Sequence, residues 1–300
     1  MKLLGIDIGG TAIKVGLANE HGEISLFKEY ASESKKGGEY MIQKVMRIIT
    51  EMNTVDAIGI STAGQVNHQD GSILYANDNI PGYTGMPLKE LLEDRFGVPV
   101  MVENDVNAAA MGEYYFGNTH RRDDFLFLTY GTGIGGALFL NGRLYHGNDG
   151  IAGEFGHLIT HPSGALCNCG RYGCYEAYAS TTALINKAKL VDKSYDNGRI
   201  IFEGYQQGDV SLQQLIVDWI YEVALGLTSL IHIFNPPSII IGGGIMEQDV
   251  LVKQVSFQVK QMIMDSFSNV QIQKASLGNK AGVLGAIALH LAREVRRSML

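Results

Sequence analysis

Phe125-Leu126-Phe127-Leu128-Thr129-Tyr130-Gly131-Thr132-Gly133-Ile134-Gly135-Gly136-Ala137-Leu138-Phe139-Leu140-Asn141-Gly142 is the stretch that decides the fold. An apolar run, Phe125 to Tyr130, enters a glycine turn, Gly131 to Gly136. A second apolar run, Ala137 to Leu140, stops at Asn141-Gly142, a strong hairpin signal. The glycines match G-x-G-x-x-G, but a dinucleotide fold then needs a helix with its amino terminus on the pyrophosphate. A strand follows here instead. The glycines therefore read as a hairpin tip whose backbone N–H groups form an anion nest. No G-x-x-x-x-G-K-[ST] occurs, which excludes a P-loop.

The amino terminus has the same grammar. Lys2 to Asp7 is apolar, Gly9-Gly10 turns, and Ala12 to Ala18 runs back. Asn19-Glu20-His21-Gly22 turns again into Glu23–Tyr30, a three-stranded antiparallel meander; Arg143–Tyr145 is the third run of the second copy. This internal duplication implies two related half-domains facing each other. Either loop alone reads as a plain tight hairpin. Two of them, each with a Thr, point to phosphate handling: glycine lets backbone approach a phosphate, Thr11 offers a hydroxyl, and Asp7 can hold Mg²⁺ directly or through water. Asp7, Gly9, Gly10, Thr11 and Lys14 in the first copy, and Gly131, Thr132 and Gly133 in the second, are the candidate cofactor-side residues. A third cluster, Gly242-Gly243-Gly244, follows the strand Ser238–Ile241. It either lets a flat purine lie on backbone at Gly242 and Gly243 or is a simple strand-to-helix turn.

Apolar spacing predicts helices over 38–52, 88–96, 106–116, 212–234, 250–266 and 283–296, and strands over 57–60, 98–102 and 270–274. Asn235-Pro236-Pro237 stops the long fourth helix, 212–234. Ser61 to Gly85 is loop-rich, and the polar stretch Gly117 to Asp124 is where the chain is expected to cross between lobes.

The 300 residues, 46% of them hydrophobic with six prolines, imply two ordinary lobes rather than disorder. A net charge of −7 disfavours non-specific nucleic-acid binding, which needs a basic face. Asp7 stands where a signal peptide needs an apolar core. The apolar stretch Val223 to Phe234 falls short of the ~20 residues that span a bilayer. A soluble, cytoplasmic protein is expected.

Asn104-Asp105 sits between a strand and a helix. Taken alone it reads as a helix cap; functionally, Asp105 would accept the proton of a substrate hydroxyl, since phosphoryl transfer needs one well-placed base. The sharpest signal is His157 with Cys167, Cys169 and Cys174, which uses every cysteine in the chain. One imidazole and three thiolates complete a closed, tetrahedral, structural Zn²⁺ site. Three unligated buried thiols would leave the clustering without a reason.

These residues resemble the ROK family (repressor, open reading frame, kinase) of sugar kinases and sugar-sensing repressors. The match runs through Asp7 to Thr11, Glu103-Asn104-Asp105, Gly131 to Gly136, Ala152 to His157, Cys167 to Glu176, Ile241 to Gly244 and Gly282 to Ala286. The resemblance implies an α/β, two-lobed actin-like (ribonuclease H-like) fold with duplicated mixed sheets. Residues 1–117 would form one lobe, joined by a C-terminal helix over 283–300, and 118–282 the other, with the zinc knuckle. It implies Asp105 as the base, and Gly64, Asn79, Asn104, Glu154, His157 and Glu176 about the sugar, with ATP and Mg²⁺ as cofactors. A homodimer is the implied assembly, with neither nucleic acid nor membrane as partner. Ala63 stands where the family favours Pro, and Tyr130 and Ala137 flank the second loop in place of smaller residues; both bear on substrate preference. Two other readings stay open: a sugar-responsive repressor, for which an amino-terminal helix-turn-helix is expected, and a catalytically silent sugar-binding protein.

Overall fold

The computed structural model describes residues 1–52, 54–117 and 123–298, with side chains through residue 292. The expected crossing at Gly117 to Asp124 falls largely on 118–122, outside the described residues. The chain forms two compact units: Met1–Arg122 with Leu144–Ala152 and Asn279–Leu300, and Asp123–Arg143 with Gly153–Gly278.

In the first unit, β1 (Leu3–Ile8) is the middle of a five-stranded sheet because both its faces are covered. Leu4, Ile6 and Ile8 join one core with Met41, Ile42, Val45 and Ile49 of α1 (Gly38–Glu51). Leu3 joins another with Val283 and Ile287 of the C-terminal helix, Ala281–Ser298. β2 (Ala12–Ala18) and β3 (Ile24–Ala31) run antiparallel to their neighbours, completing the expected meander. β4 (Ala57–Thr62) lies parallel to β1. The loop-rich stretch carries a small hairpin, β5 (Gln65–Val66) and β6 (Ile73–Tyr75), and leads to α2 (Leu88–Phe96). β7 (Val100–Asn104) pairs parallel to β4 and passes without a loop into α3 (Asp105–Phe116). The strand order is β3-β2-β1-β4-β7.

The C-terminal helix lies in a trough of glycines. Gly16, Gly5 and Gly59 are register partners across β2, β1 and β4. A methyl group on Gly5 would stand 2.3 Å from Val283 O, on Gly59 1.9 Å from Ala286 O, and on Gly16 2.6 Å from Val283 Cγ1. Gly285 meets α3 as closely, 1.8 Å from Ala108 O. Removing the side chains lets backbone meet backbone.

The second unit repeats the plan. β8 (Phe125–Tyr130) pairs antiparallel with β9 (Ile134–Leu140), and after β10 (Arg143–Leu144) the sheet reads β10-β9-β8-β11-β12. β9 begins at Ile134, so Gly135 and Gly136 are strand residues rather than turn residues. Gly136 is there for space: a methyl group would stand 2.4 Å from Gly153 O and 2.3 Å from the Phe155 ring. α4 (Glu176–Ala179), α5 (Thr181–Val191) and α6 (Gly198–Gln206) fill a region for which the sequence predicts no helix; Ser180 and Asn197 cap the latter two. α7 (Val210–Phe234) is capped by Asp209 and ends on Asn235 in the left-handed region (φ 44°). It is longer than its apolar tail suggests, and at 25 residues with mean hydropathy 1.4 it has the length and composition of a membrane span. Here it is the unit's core helix: Leu212, Ile216, Trp219, Val223 and Leu227 are fully buried, and α4, α5, α6 and α8 (Asp249–Met262) surround it. β11 (Ser238–Gly242) and β12 (Gln271–Lys274) are parallel to β8 and to each other.

Leu144–Ala152, which the sequence assigns to the second lobe, belongs to the first unit, and so do residues 279–282. One contact that ties the first of these to the unit is a part-buried hydrogen bond: His146 Nε2 lies 2.8 Å from Glu103 Oε2.

Candidate active site

The candidate residues fall into two groups, one in each unit. In the first, Asn104 caps α3: its Oδ1 accepts from Val106 N (3.0 Å) and Asn107 N (3.2 Å). Its Nδ2 donates to Gly64 O (2.9 Å) and to Asp105 Oδ1 (3.0 Å). One amide thus draws Gly64, Asn104 and Asp105 together. Gly64 has φ 101°, a conformation side chains avoid, and a methyl group there would stand 2.8 Å from Tyr75 O. Asp105 Oδ1 also accepts from Val106 N at 2.9 Å, so these bonds all fall on one oxygen. Capping and a functional carboxylate prove compatible, because Asn104 does the capping. Burial first, and the charge of Asp7 second, push the Asp105 carboxyl up to about 6. Asn79 is exposed, and its bonds run to Asn77 (3.0 Å) and Lys35 (3.3 Å).

Asp7 lies at the end of β1. Its Oδ1 accepts from Ser61 Oγ at 2.8 Å, and Lys14 Nζ lies 3.9 Å from Oδ2. Burial raises its carboxyl against the pull of Ser61 and Lys14. Gly282 leaves the room: a methyl group would stand 2.5 Å from Asp7 Cγ. At the adjoining tip Gly9 N–H donates to Ala12 O (2.9 Å), while Gly10 and Thr11 are exposed. The hydroxyls of Ser32 and Ser34, both buried, each donate to Gly10 O at 2.7 Å. These two serines hold the tip, and no pattern in the sequence marks them.

In the second unit the turn is Gly131-Thr132-Gly133, closed by Gly131 N–H to Gly133 O (3.0 Å), with Thr132 exposed. Gly243 (φ 107°) lies against the carboxyl end of β8, where a methyl group would stand 2.1 Å from Tyr130 O. The second and third glycine clusters are therefore neighbours at the ends of parallel strands β8 and β11. Gly242 is the last residue of β11.

The knuckle is built by short-range bonds. Cys167 N donates to Arg171 O (2.8 Å), Gly170 N to Cys167 O (2.9 Å), and Thr160 N and His161 N to Gly173 O (3.0 and 3.2 Å). The ligand atoms of His157, Cys167, Cys169 and Cys174 all lie within 4.8 Å of one another. Cys169 and Cys174 Sγ are 3.6 Å apart, and Cys167 Sγ is 3.8 Å from His157 Nδ1. Sulfurs on a tetrahedral Zn²⁺ at ~2.3 Å stand just under 4 Å apart, so this donor set fits the ion. Nδ1 of His157 faces the thiols; Nε2 lies 3.8 Å from Glu154 Oε2. Glu176 joins the knuckle to the glycine turn: Cys167 Sγ donates to its Oε1 (2.9 Å), and its Oε2 accepts from Ile134 N (3.3 Å).

Two five-stranded mixed sheets of one strand order, each tipped by a glycine turn, define the actin-like ATPase (ribonuclease H-like) fold. The chain belongs to the ROK family, whose model matches residues 3–293. It is similar along its length to the beta-glucoside kinase of Listeria monocytogenes, 36% identical over 303 residues and 99% of each chain. Similar too is the glucokinase of Thermotoga maritima, 33% identical over 311 residues, 96% of this chain and 97% of that one. Among solved structures, a ROK family glucokinase from Streptomyces griseus in complex with glucose and AMPPNP matches with a TM-score of 0.85. It has 33% identity to this chain and covers 96% of this chain and 99% of its own.

Proposed function

We propose that this protein transfers the γ-phosphate of ATP to a hydroxyl, the 6-hydroxyl, of a hexose or hexose derivative such as glucose, N-acetylmannosamine or a β-glucoside. That it is an ATP-dependent carbohydrate kinase rests on the family and on full-length likeness to named sugar kinases. The observation that carries the catalytic reading is Asp105. It sits on the first residue of a helix, held by Asn104, with a carboxyl poised at about 6. A base of that affinity is mostly ionised at neutral pH yet accepts a hydroxyl proton more readily than an ordinary aspartate.

Asn104, Gly64 and Asn79 would line the sugar's side of the first unit, and Glu154, His157 and Glu176 that of the second. His157 is suited to both tasks, with Nδ1 toward the thiols and Nε2 left for a sugar hydroxyl. Thiols bind Zn²⁺ only as thiolates. With its thiol deprotonated for Zn²⁺, Cys167 would no longer donate to Glu176 Oε1, and that oxygen would be left to accept from a sugar hydroxyl. Zinc bound there would brace the segment that carries these side chains.

Gly9, Gly10, Thr11 and Lys14, with Gly131, Thr132 and Gly133, would hold the phosphates, and Gly242 and Gly243 the adenosine. Asp7 fits Mg²⁺, which is held by one or two carboxylates together with substrate phosphates; its charge raises the Asp105 carboxyl, a burden that a cation at Asp7 would relieve. Mg²⁺, when bound, neutralises charge on the transferring phosphate. The protein would act in the cytoplasm as a homodimer.

The test is ADP release from ATP over a panel of hexoses, N-acetylhexosamines and β-glucosides. Wild type should turn over at least one of them. Asp105→Asn should lose about 10²–10⁴-fold in kcat while still binding the sugar. Tight sugar binding with no turnover on the whole panel would favour the silent sugar-binding protein instead.

A further inference from the structure

Glu103, the last residue before the Asn104-Asp105 pair, is 4% exposed and uses both carboxylate oxygens. Oε1 accepts from the backbone N–H of Asn104 (2.9 Å) and from Nδ2 of Asn107 (3.1 Å), a buried residue in the first turn of α3. Oε2 lies 2.8 Å from His146 Nε2. A carboxylate only accepts, so the imidazole N–H donates. Two of these three donors come from the segment Glu103 itself begins. The third comes from the strap Leu144–Ala152, which folds into the first unit.

The strap is built to present that ring. Ala152 N–H donates back to His146 O (3.2 Å), and Gly147 (φ 71°) and Gly150 (φ 86°) make the turns between. The His146 ring stacks on His68 with centroids 4.2 Å apart and planes 12° from parallel. His68 in turn lies beside Gly150, where a methyl group would stand 3.5 Å from its Nδ1. The ring is thus fixed in plane by His68 and in direction by Glu103.

We propose that His146 is a positioning residue for Asp105. Through Glu103 it fixes Asn104 N–H and the Asn107 side chain, and with them the direction in which α3 aims the Asp105 carboxylate. This rests on the kinase reading of Asp105. Misplacing a reacting group by about an ångström costs on the order of 10²-fold in rate, whereas ground-state sugar contacts need not change. A histidine that merely satisfied a buried glutamate would alter stability and leave the kcat of folded enzyme alone.

The test is a double-mutant cycle in the full-length protein with His146→Leu, His146→Gln, Glu103→Gln and the double variant His146→Leu/Glu103→Gln. His146→Leu should lower kcat at saturating sugar about tenfold or more with sugar KM changed less than about threefold. His146→Gln, which keeps an N–H donor, should recover most of the loss. The double variant should be no slower than Glu103→Gln alone, because the two act as one unit. Hydrogen exchange at amides 104–107 should quicken in His146→Leu and not in His146→Gln. Losses in kcat that multiply, or a glutamine no better than leucine, would overturn the proposal. If wild type turns over no sugar, the kinase reading falls, and exchange alone then decides: unchanged protection at 104–107 in His146→Leu would overturn the latch.

Discussion

If Asp105 is the base proposed above, stability and chemistry place opposite demands on it. Its carboxyl is raised from the ordinary 3.8 to about 6, by burial and then by Asp7. Between those two values the folded chain keeps a proton that the unfolded chain has lost. This group therefore favours folding at low pH and weakens it as pH rises through about 6. The cost at neutral pH is about 3 kcal/mol. Asp105→Asn should accordingly be more stable than wild type at pH 7.5, and urea titrations should show the gain shrinking below about pH 6 and vanishing near pH 4. For the wild type, kcat/KM should climb as pH rises through about 6, since only the carboxylate accepts a proton. A variant less stable at every pH would mean that the site holds no such burden. At this scale the Asn-Asp pair between a strand and a helix was readable. Ser32, Ser34 and Ser61, which hold the Gly10 tip and Asp7, were not, because a lone serine has no pattern until the fold supplies its partner.

Most elements were legible because they obey local rules. Apolar runs that enter glycine turns place β1 and β8, helical spacing places α1 and α2, and Asn235 before two prolines ends α7. α4, α5 and α6 escaped because they are short and pack about α7 with scattered apolar residues such as Leu184, Ile201 and Phe202. The glycine trough escaped for another reason. Gly5, Gly16 and Gly59 are far apart in the chain, and strand register alone puts them side by side. The C-terminal helix needs that trough and also the gap at Gly285. Gly285→Ala would set a methyl group 1.8 Å from Ala108 O, backbone that cannot swing aside, and should cost roughly 3 kcal/mol or more. Gly244→Ala, with open space around the added methyl, should stay within about 0.5 kcal/mol in the same denaturation experiment.

Across the whole molecule, one strand order recurs in both units, and one Cys₃His cluster stands in the second. Elemental analysis should find one zinc per chain. A strong chelator, or Cys169→Ser, should remove it and lower the melting temperature, because ligands brought together by folding return metal affinity as folding free energy. A metal-free wild type that melts no lower would dismiss the ion. The cluster was evident from the sequence since Cys167, Cys169 and Cys174 lie within one tight loop, where spacing is nearly geometry. The repeated glycine hairpins were evident for the same reason, and with them the duplicated sheets. Glu103, His146 and His68 come from three distant segments, and nothing local in any of them signals the others. Sequence by itself thus determined what short-range sterics and ligand spacing control: the hairpins, the knuckle and the acid at the helix start. Tertiary structure alone decided how that acid is held and charged, because desolvation, Asp7 and the clamp on Glu103 exist only once remote strands are in register.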